Sequence, residues 1–259
     1  MKISIDNETK LIETMLEAYG VESKEAKIVA EVVVDGDLKG FSTHGLGRFP
    51  QYIKSIKAGT IKTDGDYEIE KESASSAMIN GNHKFGHYVT VKAMDLAVKK
   101  ASETGVGIVG IHDSNHYGIA GYYADLASIQ DMIGIVISNT EPAMAAFGGK
   151  KALLGTNPIT ISIPSDDIDN YICLDMATSI TARGKLLESK RKGEPIPEGM
   201  ALDKDGNPTT DPAEGLEGSI LPFGGFKGYG LAFMFELLAG PLVSAACGEK
   251  VEGTATPDV

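Results

Sequence analysis

The chain has 259 residues, 42% apolar and 23% charged, a composition typical of a globular protein with a sizeable core. Its 24 basic and 36 acidic residues give a net charge of −12, which disfavours nucleic acid or an anionic membrane as a partner. Its two cysteines lack the spacing of a metal site or a disulfide framework, which indicates a reducing, cytoplasmic location. No apolar run has the length of a membrane span, and the N-terminus lacks a signal-peptide pattern.

Residues 1–64 are predicted to form a helical region. Apolar residues recur at helical spacing in NETKLIETMLEAYG and again in KEAKIVAEVVVDGDLKG. A third helix is expected to begin near Ser42, a possible N-cap, and to end near Gly59. His44, Arg48 and Tyr52 follow one another at intervals of four residues, so within such a helix their side chains would share one face.

Residues 65–259 are predicted to form an α/β domain, because helical segments alternate with short apolar strands. Strands are expected in YEIEKES, SAMINGN, GVGIVGIHD, MIGIVISNT, PITISIP and NYICLDMA, and helices in YVTVKAMDLAVKKASE and GIAGYYADLASIQ. Residues 187–221 are rich in proline, glycine and charge, which indicates a surface excursion with turns in DKDGNPTTDP. The nearly all-apolar segment GYGLAFMFELLAGPLVSAA predicts a buried helix.

The segment GVGIVG matches the glycine pattern of a dinucleotide-binding loop, but its context is wrong. That loop must follow a strand and open a helix. Here a helix precedes the glycines, and the apolar residues Val106, Ile108, Val109 and Ile111 make the segment itself a strand. A standard Rossmann loop is therefore excluded.

Several histidines are candidates for proton transfer. His116 lies in HDSNHYGIAGYY, just after a predicted strand, where ligand-binding residues of α/β sheets gather. His112 competes for the role, whereas His83 and His87 are interpreted as structural or solvated. His44 and Arg48 suit proton donation and carboxylate binding, but a structural pair on an exposed helix face is an equally good interpretation.

Three further segments could contact a nucleotide. SNTEPAMAAFGGKKALLGTNP is rich in small and hydroxyl residues that let the backbone approach a ligand. Asp175 in LDMATS could hold an imidazole, bind a ribose hydroxyl, or cap a helix starting near Thr178. Lys227 in PFGGFKGYG lies among glycines at a helix start, which suits phosphate, although the spacing is not that of a P-loop. No spacing indicates a metal site.

Taken jointly, these motifs resemble one family. STHGLGRFPQY, SNHYGIAGYY, SNTEPAMAAFGG, GTNPI, LDMATS and GGFKGYGLA occur in the same order and at similar spacing in the malate/L-lactate dehydrogenase family of the second type. DLKGF, IAGYY, NTEPAMA, PEGMALDKDGNPTTDPA and GTATP look most similar to its methanogen branch of sulfolactate and malate dehydrogenases, which implies a link to coenzyme M biosynthesis. The resemblance covers essentially the whole chain.

This resemblance implies a non-Rossmann α/β nucleotide-binding fold and a cytoplasmic homodimer in which residues 1–64 form the dimerisation and substrate region. It also implies hydride transfer between NAD or NADP and a small anionic 2-oxo or 2-hydroxy acid. It implies that protonated His116 is the catalytic acid and that Arg48 holds the substrate carboxylate, with His44 and Tyr52 beside it. A relay of Thr43, His44 and Asp175 is also implied. The implied cofactor contacts are Asn139, Thr140, Thr156, Asp175, Met176, Ala177, Lys227 and Gly228.

The resemblance leaves alternatives open. Family chains continue for several tens of residues beyond GTATPDV, so the C-terminal end is expected to be incomplete. The chain could then be a nucleotide-binding protein without turnover, with apolar surface uncovered on Phe233, Phe235, Leu237 or Leu242. Other branches act on cyclic imino acids, diketo acids or ureidoglycolate.

Overall fold

A computed structural model describes residues 3–41, 43–166 and 171–252. The chain forms two compact units, each of which is described by itself. The first comprises Met1–Val136 with Ile161–Cys173, and the second comprises Ile137–Thr160 with Leu174–Gly253. The predicted helical region, residues 1–64, lies in the first unit. Its role in dimerisation and substrate binding stays a prediction. Ser42, Asn170 and the segment GTATPDV, which entered the sequence predictions, lie outside the described residues.

The described residues contain eight α-helices and three short 3-10 helices. The α-helices are α1 (Ile5–Ala18), α2 (Ser23–Leu38), α3 (Phe49–Ala58), α4 (Gly86–Thr104), α5 (Ala120–Ser128), α6 (Arg183–Lys192), α7 (Pro212–Glu217) and α8 (Phe226–Ala239). The 3-10 helices are Leu46–Arg48, Pro241–Val243 and Gly248–Lys250.

Eleven strands of the described residues form three sheets. They are β1 (Glu68–Glu72), β2 (Ser76–Asn80), β3 (Ile108–His112), β4 (Gly134–Ile137), β5 (Met144–Ala145), β6 (Ala152–Leu154), β7 (Ile159–Pro164), β8 (Tyr171–Met176), β9 (Ala201–Leu202), β10 (Pro208–Thr209) and β11 (Ser219–Ile220). The sheet orders are β1-β2-β3, β4-β7-β8 and β10-β9-β11-β5-β6. Every strand predicted from sequence is present, and this mixture of helices and sheets confirms the α/β prediction.

The core of the first unit contains residues of α1, α2, α3, α4 and β2. Ile12, Leu16, Val29, Ile79 and Phe85 are all fully buried in it. Each contributes roughly 1.5–3 kcal/mol by leaving water. The helical periodicity of α1 and α2 reflects this shared buried face.

A fully buried ion pair lies in the same core. Lys84 Nζ is 2.8 Å from the carboxylate of Glu25, and both side chains are at most 2% exposed. Glu25 also accepts from the backbone N–H of Phe85 at 3.3 Å, and Lys84 donates to the carbonyl of Thr63 at 3.2 Å. The pair therefore ties α2 to the residue that precedes α4.

The third helix begins later than predicted, which is a correction. Residues 46–48 form a 3-10 turn, and α3 starts only at Phe49. Pro50 explains the delay, because proline is tolerated in the first turn of a helix but breaks its interior. The helix ends at Gly59, whose φ of +76° is left-handed, as predicted.

The strand after α4 confirms the exclusion of a Rossmann loop. β3 pairs in parallel with β2 through residues 108–112, and Gly107 packs so tightly on α4 that an added Cβ would lie 1.9 Å from the carbonyl oxygen of Ala97. No helix begins at Gly110, since the chain continues as strand to His112. Gly105 is the left-handed C-cap of α4, and Gly107 lets the chain pack closely on that helix just before β3 begins.

In the second unit, the predicted surface excursion contains more regular structure than expected. α6 and α7 flank a hairpin of β9 and β10, and Leu186 and Ile196 are buried between them. The predicted turn is present: Asp203 closes it by accepting from the backbone N–H groups of Asp205 and Asn207 at 2.9 and 2.8 Å. High charge content hid the helices, because only a few residues face inward.

α8 is less buried than its composition predicted. Ala232 packs inward, and so does Phe235, contrary to the expectation that it could be uncovered. Phe233 and Leu237 are 44% and 41% exposed, and Leu242 in the following 3-10 helix is 67% exposed. A helix that is apolar on all sides buries one face here and leaves the rest uncovered. Among the described residues, the stretch 226–243 is the only one with the length and apolar composition of a membrane span, and 28% of it is buried. The expectation that no apolar run reaches that length is therefore wrong.

Candidate active site

The turn that carries Thr43 and His44 is fixed by the end of α2. The carboxylate of Asp37 accepts from the backbone N–H of Leu46 at 2.6 Å. Gly45 lies so close that an added Cβ would be 2.1 Å from Asp37 Cγ, so only glycine fits under this turn. His44 is thereby held outside regular helix, next to the 3-10 turn that carries Arg48.

The loop after β3 carries His116 and is pinned from two sides. Asn115 donates its side-chain amide to the carbonyl oxygens of Thr60, His83 and Lys84 at 3.0, 2.8 and 3.2 Å. At the start of α4, an added Cβ on Gly86 would lie 2.0 Å from the carbonyl oxygen of Asn115. A rigid loop therefore presents His116.

These segments bring the predicted substrate residues together within the first unit. The rings of His44 and His116 stack with their centroids 5.6 Å apart. Tyr52 Oη lies 2.8 Å from Nδ1 of His116, and Thr43 Oγ1 lies 2.9 Å from Nδ1 of His44. His44 and His116 are partly exposed, whereas Tyr52 is fully buried.

His87, interpreted above as structural or solvated, is also part of this cluster. It is fully buried at the first turn of α4, with Nε2 3.3 Å from Tyr52 Oη. Its Nδ1 has no hydrogen-bond partner among the described residues. The sequence offered one weak signal: His87 follows a glycine at a helix start, where a ring can reach a neighbouring loop.

The surroundings lower the pKa of all three histidines. Burial, followed by the charge of Arg48, lowers the pKa of His44 to about 4. Burial lowers the pKa of His87 to about 3, and burial with the same guanidinium charge holds the pKa of His116 well below its usual range. Burial also raises the pKa of Tyr52, against the opposing effect of Arg48. Arg48 is thus the positive charge of the cluster.

His112, the competing candidate, lies outside this cluster. Its two ring nitrogens are each 3.0 Å from a carboxylate, one of Glu70 and one of Asp113. These hydrogen bonds outweigh burial and raise the pKa of His112. His112 therefore forms an ion-pair network at the end of β3.

Three of the predicted cofactor residues in the second unit, Asn139, Thr140 and Thr156, belong to a hydrogen-bond network around the buried amide of Asn157. Its Oδ1 accepts from the backbone N–H of Thr140 at 3.1 Å, and Thr140 Oγ1 accepts from the N–H of Thr156 at 3.0 Å. Asn139 donates to Glu236 at 3.3 Å and to the carbonyl of Ala246 at 2.8 Å. Asn157 entered the sequence predictions only as part of the segment SNTEPAMAAFGGKKALLGTNP, and Glu236, which lies in the segment predicted to be a buried apolar helix, was not singled out.

Asp175, Met176 and Ala177 lie at and just beyond the end of β8. Asp175 accepts from Thr160 Oγ1 at 2.8 Å, and Thr178 donates to the carbonyl of Thr156 at 2.9 Å. No helix begins at Thr178, since α6 starts at Arg183, so the capping role considered for Asp175 is wrong. Its place in a relay with Thr43 and His44 stays a prediction.

Lys227 and Gly228 lie in the first turn of α8 and are preceded by Gly224 and Gly225 with left-handed φ values of +55° and +64°. An added Cβ on Gly228 would lie 2.3 Å from the carbonyl oxygen of Phe223, so the turn folds tightly against the helix. Lys227 is exposed. Backbone N–H groups at a helix start, beside a lysine, suit phosphate.

This donor set fits a dinucleotide. Gly155 packs on Thr140, where an added Cβ would lie 2.2 Å from Oγ1, so this glycine lets the segments of Thr140 and Thr156 lie close together. A hydroxyl, a carboxylate and a lysine near a helix start match the ribose and phosphate groups of NAD or NADP. Among the described residues, no group of three histidine, cysteine, aspartate or glutamate side chains is placed to hold a metal ion.

Known proteins match this chain along its length. The family model for malate/L-lactate dehydrogenase matches residues 3–259. L-sulfolactate dehydrogenase of Methanothermobacter thermautotrophicus is 60% identical over 100% of this chain and 75% of its own length. Malate/(S)-sulfolactate dehydrogenase of Methanothermus fervidus is 63% identical over 99% of this chain and 75% of its own length.

A solved structure agrees with these sequences. Sulfolactate dehydrogenase from Methanocaldococcus jannaschii superposes with a TM-score of 0.93 at 55% identity, covering 100% of this chain and 74% of that one. The non-Rossmann fold expected from sequence is therefore confirmed, and the chain belongs to the malate/L-lactate dehydrogenase family.

Proposed function

We propose that the chain is an oxidoreductase that transfers a hydride between NAD(P)H and a 2-oxo acid such as oxaloacetate or sulfopyruvate, giving malate or sulfolactate. The observation that carries this proposal is that His116 contacts both His44 and Tyr52. Arg48 supplies a positive charge that acts on the same histidine. Such a group can hold a carboxylate and deliver a proton to a carbonyl oxygen. The names of the family members support the same substrates.

Within this function, Arg48 binds the carboxylate of the 2-oxo acid as a two-pronged donor. His116 supplies the proton that the carbonyl oxygen takes up on reduction. His44 stacks on His116 and borders the substrate, and Thr43 holds the His44 ring through Nδ1.

The cofactor, when bound, supplies the hydride. In the second unit, Asn139, Thr140 and Thr156 would contact it, and Asp175, Met176 and Ala177 would line its ribose. Lys227 and Gly228 would hold its phosphate groups. The names of two more distant relatives specify NADP(+) in one case and NAD(+) in the other, so both cofactors belong in the test.

A homodimer is part of the proposal. Uncovered apolar side chains of the N-terminal helices, among them Ile5 at 53% and Leu38 at 61% exposed, support it, since large apolar patches mark contact surfaces. Membrane insertion of α8 is not part of the proposal, because Glu236 places a buried carboxylate in the middle of that apolar stretch. The acidic net charge of −12 disfavours anionic lipid as a partner, and the two cysteines without disulfide or metal spacing support a cytoplasmic location.

The test is oxidation of NADH and NADPH with oxaloacetate, sulfopyruvate, pyruvate and a cyclic imino acid. Turnover with either of the first two, and little with the imino acid, is the expected result. Binding of NADH without turnover of any substrate would instead identify a nucleotide-binding protein. Sedimentation velocity separates monomer from dimer in the same samples.

A further inference from the structure

The rings of His87, Tyr52 and His116 form a chain of hydrogen bonds in which Tyr52 is the middle member. Nε2 of His87 is 3.3 Å from Tyr52 Oη, and Tyr52 Oη is 2.8 Å from Nδ1 of His116. The backbone N–H of Gly118 donates to the same Nδ1 at 3.2 Å. The hydroxyl of Tyr52 is therefore enclosed between two imidazoles, and no other hydrogen bond to it is formed by the described residues that surround it.

The bond from Gly118 decides where the protons lie. A ring nitrogen that accepts from an N–H group carries no proton, so neutral His116 carries its proton on Nε2. Tyr52 then donates its O–H to Nδ1, and its oxygen accepts from Nε2–H of His87. The remaining nitrogen of His87, Nδ1, is the buried atom that lacks a partner.

We propose, building on the function proposed above, that His116 acts as a neutral imidazole whose proton is replaced from the hydroxyl of Tyr52, with His87 positioning that hydroxyl. Tyr52 and His87 act through His116 and need not touch the substrate. Tyr52 thus takes a different role from the substrate contact that the resemblance implied.

The proton transfers balance. As the 2-oxo acid is reduced, its oxygen takes the proton from Nε2 of His116, so that N–H bond breaks and the O–H bond of the product forms. The O–H bond of Tyr52 breaks as its proton moves to Nδ1, and His116 stays neutral. The negative charge passes to Tyr52 Oη. Burial disfavours this charge, and Nε2–H of His87 and the new Nδ1–H of His116 offset that cost by donating to the oxygen.

The site then resets. After the hydroxy acid leaves, a proton from solvent enters at Nε2 of the partly exposed His116, and the proton on Nδ1 returns to Tyr52. The N–H of Gly118 opposes a lasting proton on Nδ1, because two donors would then face each other at 3.2 Å. Oxidation of the hydroxy acid follows the same steps in reverse.

The groups around His116 explain why a neutral route is favoured. Arg48, His44 and His87 face it from the 3-10 turn, the preceding turn and α4, and each disfavours a second positive charge. The ring of Tyr117 lies beside His116, and Tyr123 packs on Tyr117 and donates to its carbonyl oxygen. Both are uncharged hydroxyl side chains, so neither offers a negative charge to an imidazolium. Burial has the largest effect and holds the pKa of His116 well below its usual range, which disfavours the imidazolium.

Tyr52→Phe tests the relay, because it removes only the hydroxyl and keeps a ring that packs edge-on against Phe85 and Phe49. With oxaloacetate and saturating NADH, kcat should fall about 100-fold while KM changes less than about twofold. Rates in mixtures of light and heavy water should curve for the wild type, where two protons move together, and become linear in Tyr52→Phe. Tyr88→Phe, another buried tyrosine, is the matched control and should keep the wild-type rate.

His87 is tested by a pair of variants. His87→Gln retains an N–H that can reach Tyr52 and should keep most activity. His87→Leu should lower kcat by about 10- to 100-fold, the usual loss when a group that orients a reactive residue is removed. Equal rates in these two variants, or an unchanged kcat and a curved solvent-isotope plot in Tyr52→Phe, would overturn the proposal.

A measurement without substrate separates this proposal from the function on which it rests. Two-bond 1H–15N NMR spectra at pH 7 should show His116 with a bare Nδ1 and a protonated Nε2, assigned by the signals missing in His116→Ala. A proton on Nδ1, or an imidazolium, overturns the relay even if the enzyme is active. The expected tautomer together with no reduction of any 2-oxo acid overturns the proposed function, and the catalytic use of the relay with it.

Discussion

Asn157 donates its side-chain amide to the carboxylate of Glu236 at 2.7 Å, inside the second unit, where Asn157 is fully buried and Glu236 is 4% exposed. The other carboxylate oxygen of Glu236 accepts from Asn139 at 3.3 Å and from the N–H of Gly248 at 2.7 Å. One carboxylate thus orders two asparagines beside the predicted cofactor residues.

Glu236→Gln should therefore weaken both stability and cofactor binding. The amide presents an N–H group where an acceptor is needed, so at least one buried donor loses its partner, at a cost of about 1–3 kcal/mol. NADH affinity should fall as well, because Asn157 positions the N–H of Thr140. Urea unfolding and NADH fluorescence titration measure the two effects. Glu249→Gln, at an exposed ion pair, is the control and should change neither by more than about 1 kcal/mol.

His116→Ala should lower kcat by about two to four orders of magnitude and leave NADH binding nearly unchanged, because the ring supplies a proton and no cofactor contact is assigned to it. Steady-state kinetics with oxaloacetate and a parallel NADH titration measure both quantities. The control is His83→Ala, which removes a histidine outside the cluster. A near-normal kcat in His116→Ala would exclude His116 from the chemistry.

Arg48→Lys should fail to restore function, since a lysine presents a point charge rather than the planar fork that binds a carboxylate. The expected loss lies mainly in kcat/KM and is at least about 1.5 kcal/mol, the value of a charge-assisted hydrogen bond. Steady-state kinetics with oxaloacetate measure kcat/KM for the wild type and for Arg48→Lys. Kinetics equal to those of the wild type would contradict carboxylate binding by Arg48.

Glu8→Gln should stabilise the protein at neutral pH but not in acid. Burial, and then hydrogen bonding and repulsion from Asp37, raise the pKa of Glu8 in the folded state. A raised carboxyl pKa favours folding below its unfolded value near 4.5, and this contribution is lost as pH rises through the folded pKa. Because glutamine does not titrate, its advantage over the wild type should grow from pH 4 to pH 8. A difference in unfolding free energy that stays constant over that range would contradict the prediction.

The sequence alone predicted the fold well wherever a local pattern decides the structure. The periodicity of α1, α2 and α4 was sufficient for those helices, and the context of GVGIVG was enough to identify a strand. The late start of α3 does not follow from helical spacing, because it depends on Pro50 in the first turn and on the bond from Leu46 N–H to the carboxylate of Asp37.

Prediction of the candidate site failed where a contact depends on tertiary packing. His87 precedes His116 by 29 positions and reaches it only through Tyr52, so no spacing rule links the three rings. Asn157 is likewise a polar residue at a turn until the fold buries it beneath Thr140. The apolar composition of α8 indicated burial, but composition cannot show which partner covers a face.

Gly86 limits how this site can evolve. Any side chain there would meet the carbonyl oxygens of Asn115 and His116 at 2.0 and 2.7 Å, so a substitution displaces the loop itself. A lineage that lost this glycine could not regain proton transfer by changing His116 and would need compensating changes in the backbone. New substrate preferences should therefore arise on the exposed turn at Thr43, while the junction between α4 and the His116 loop stays fixed through such diversification.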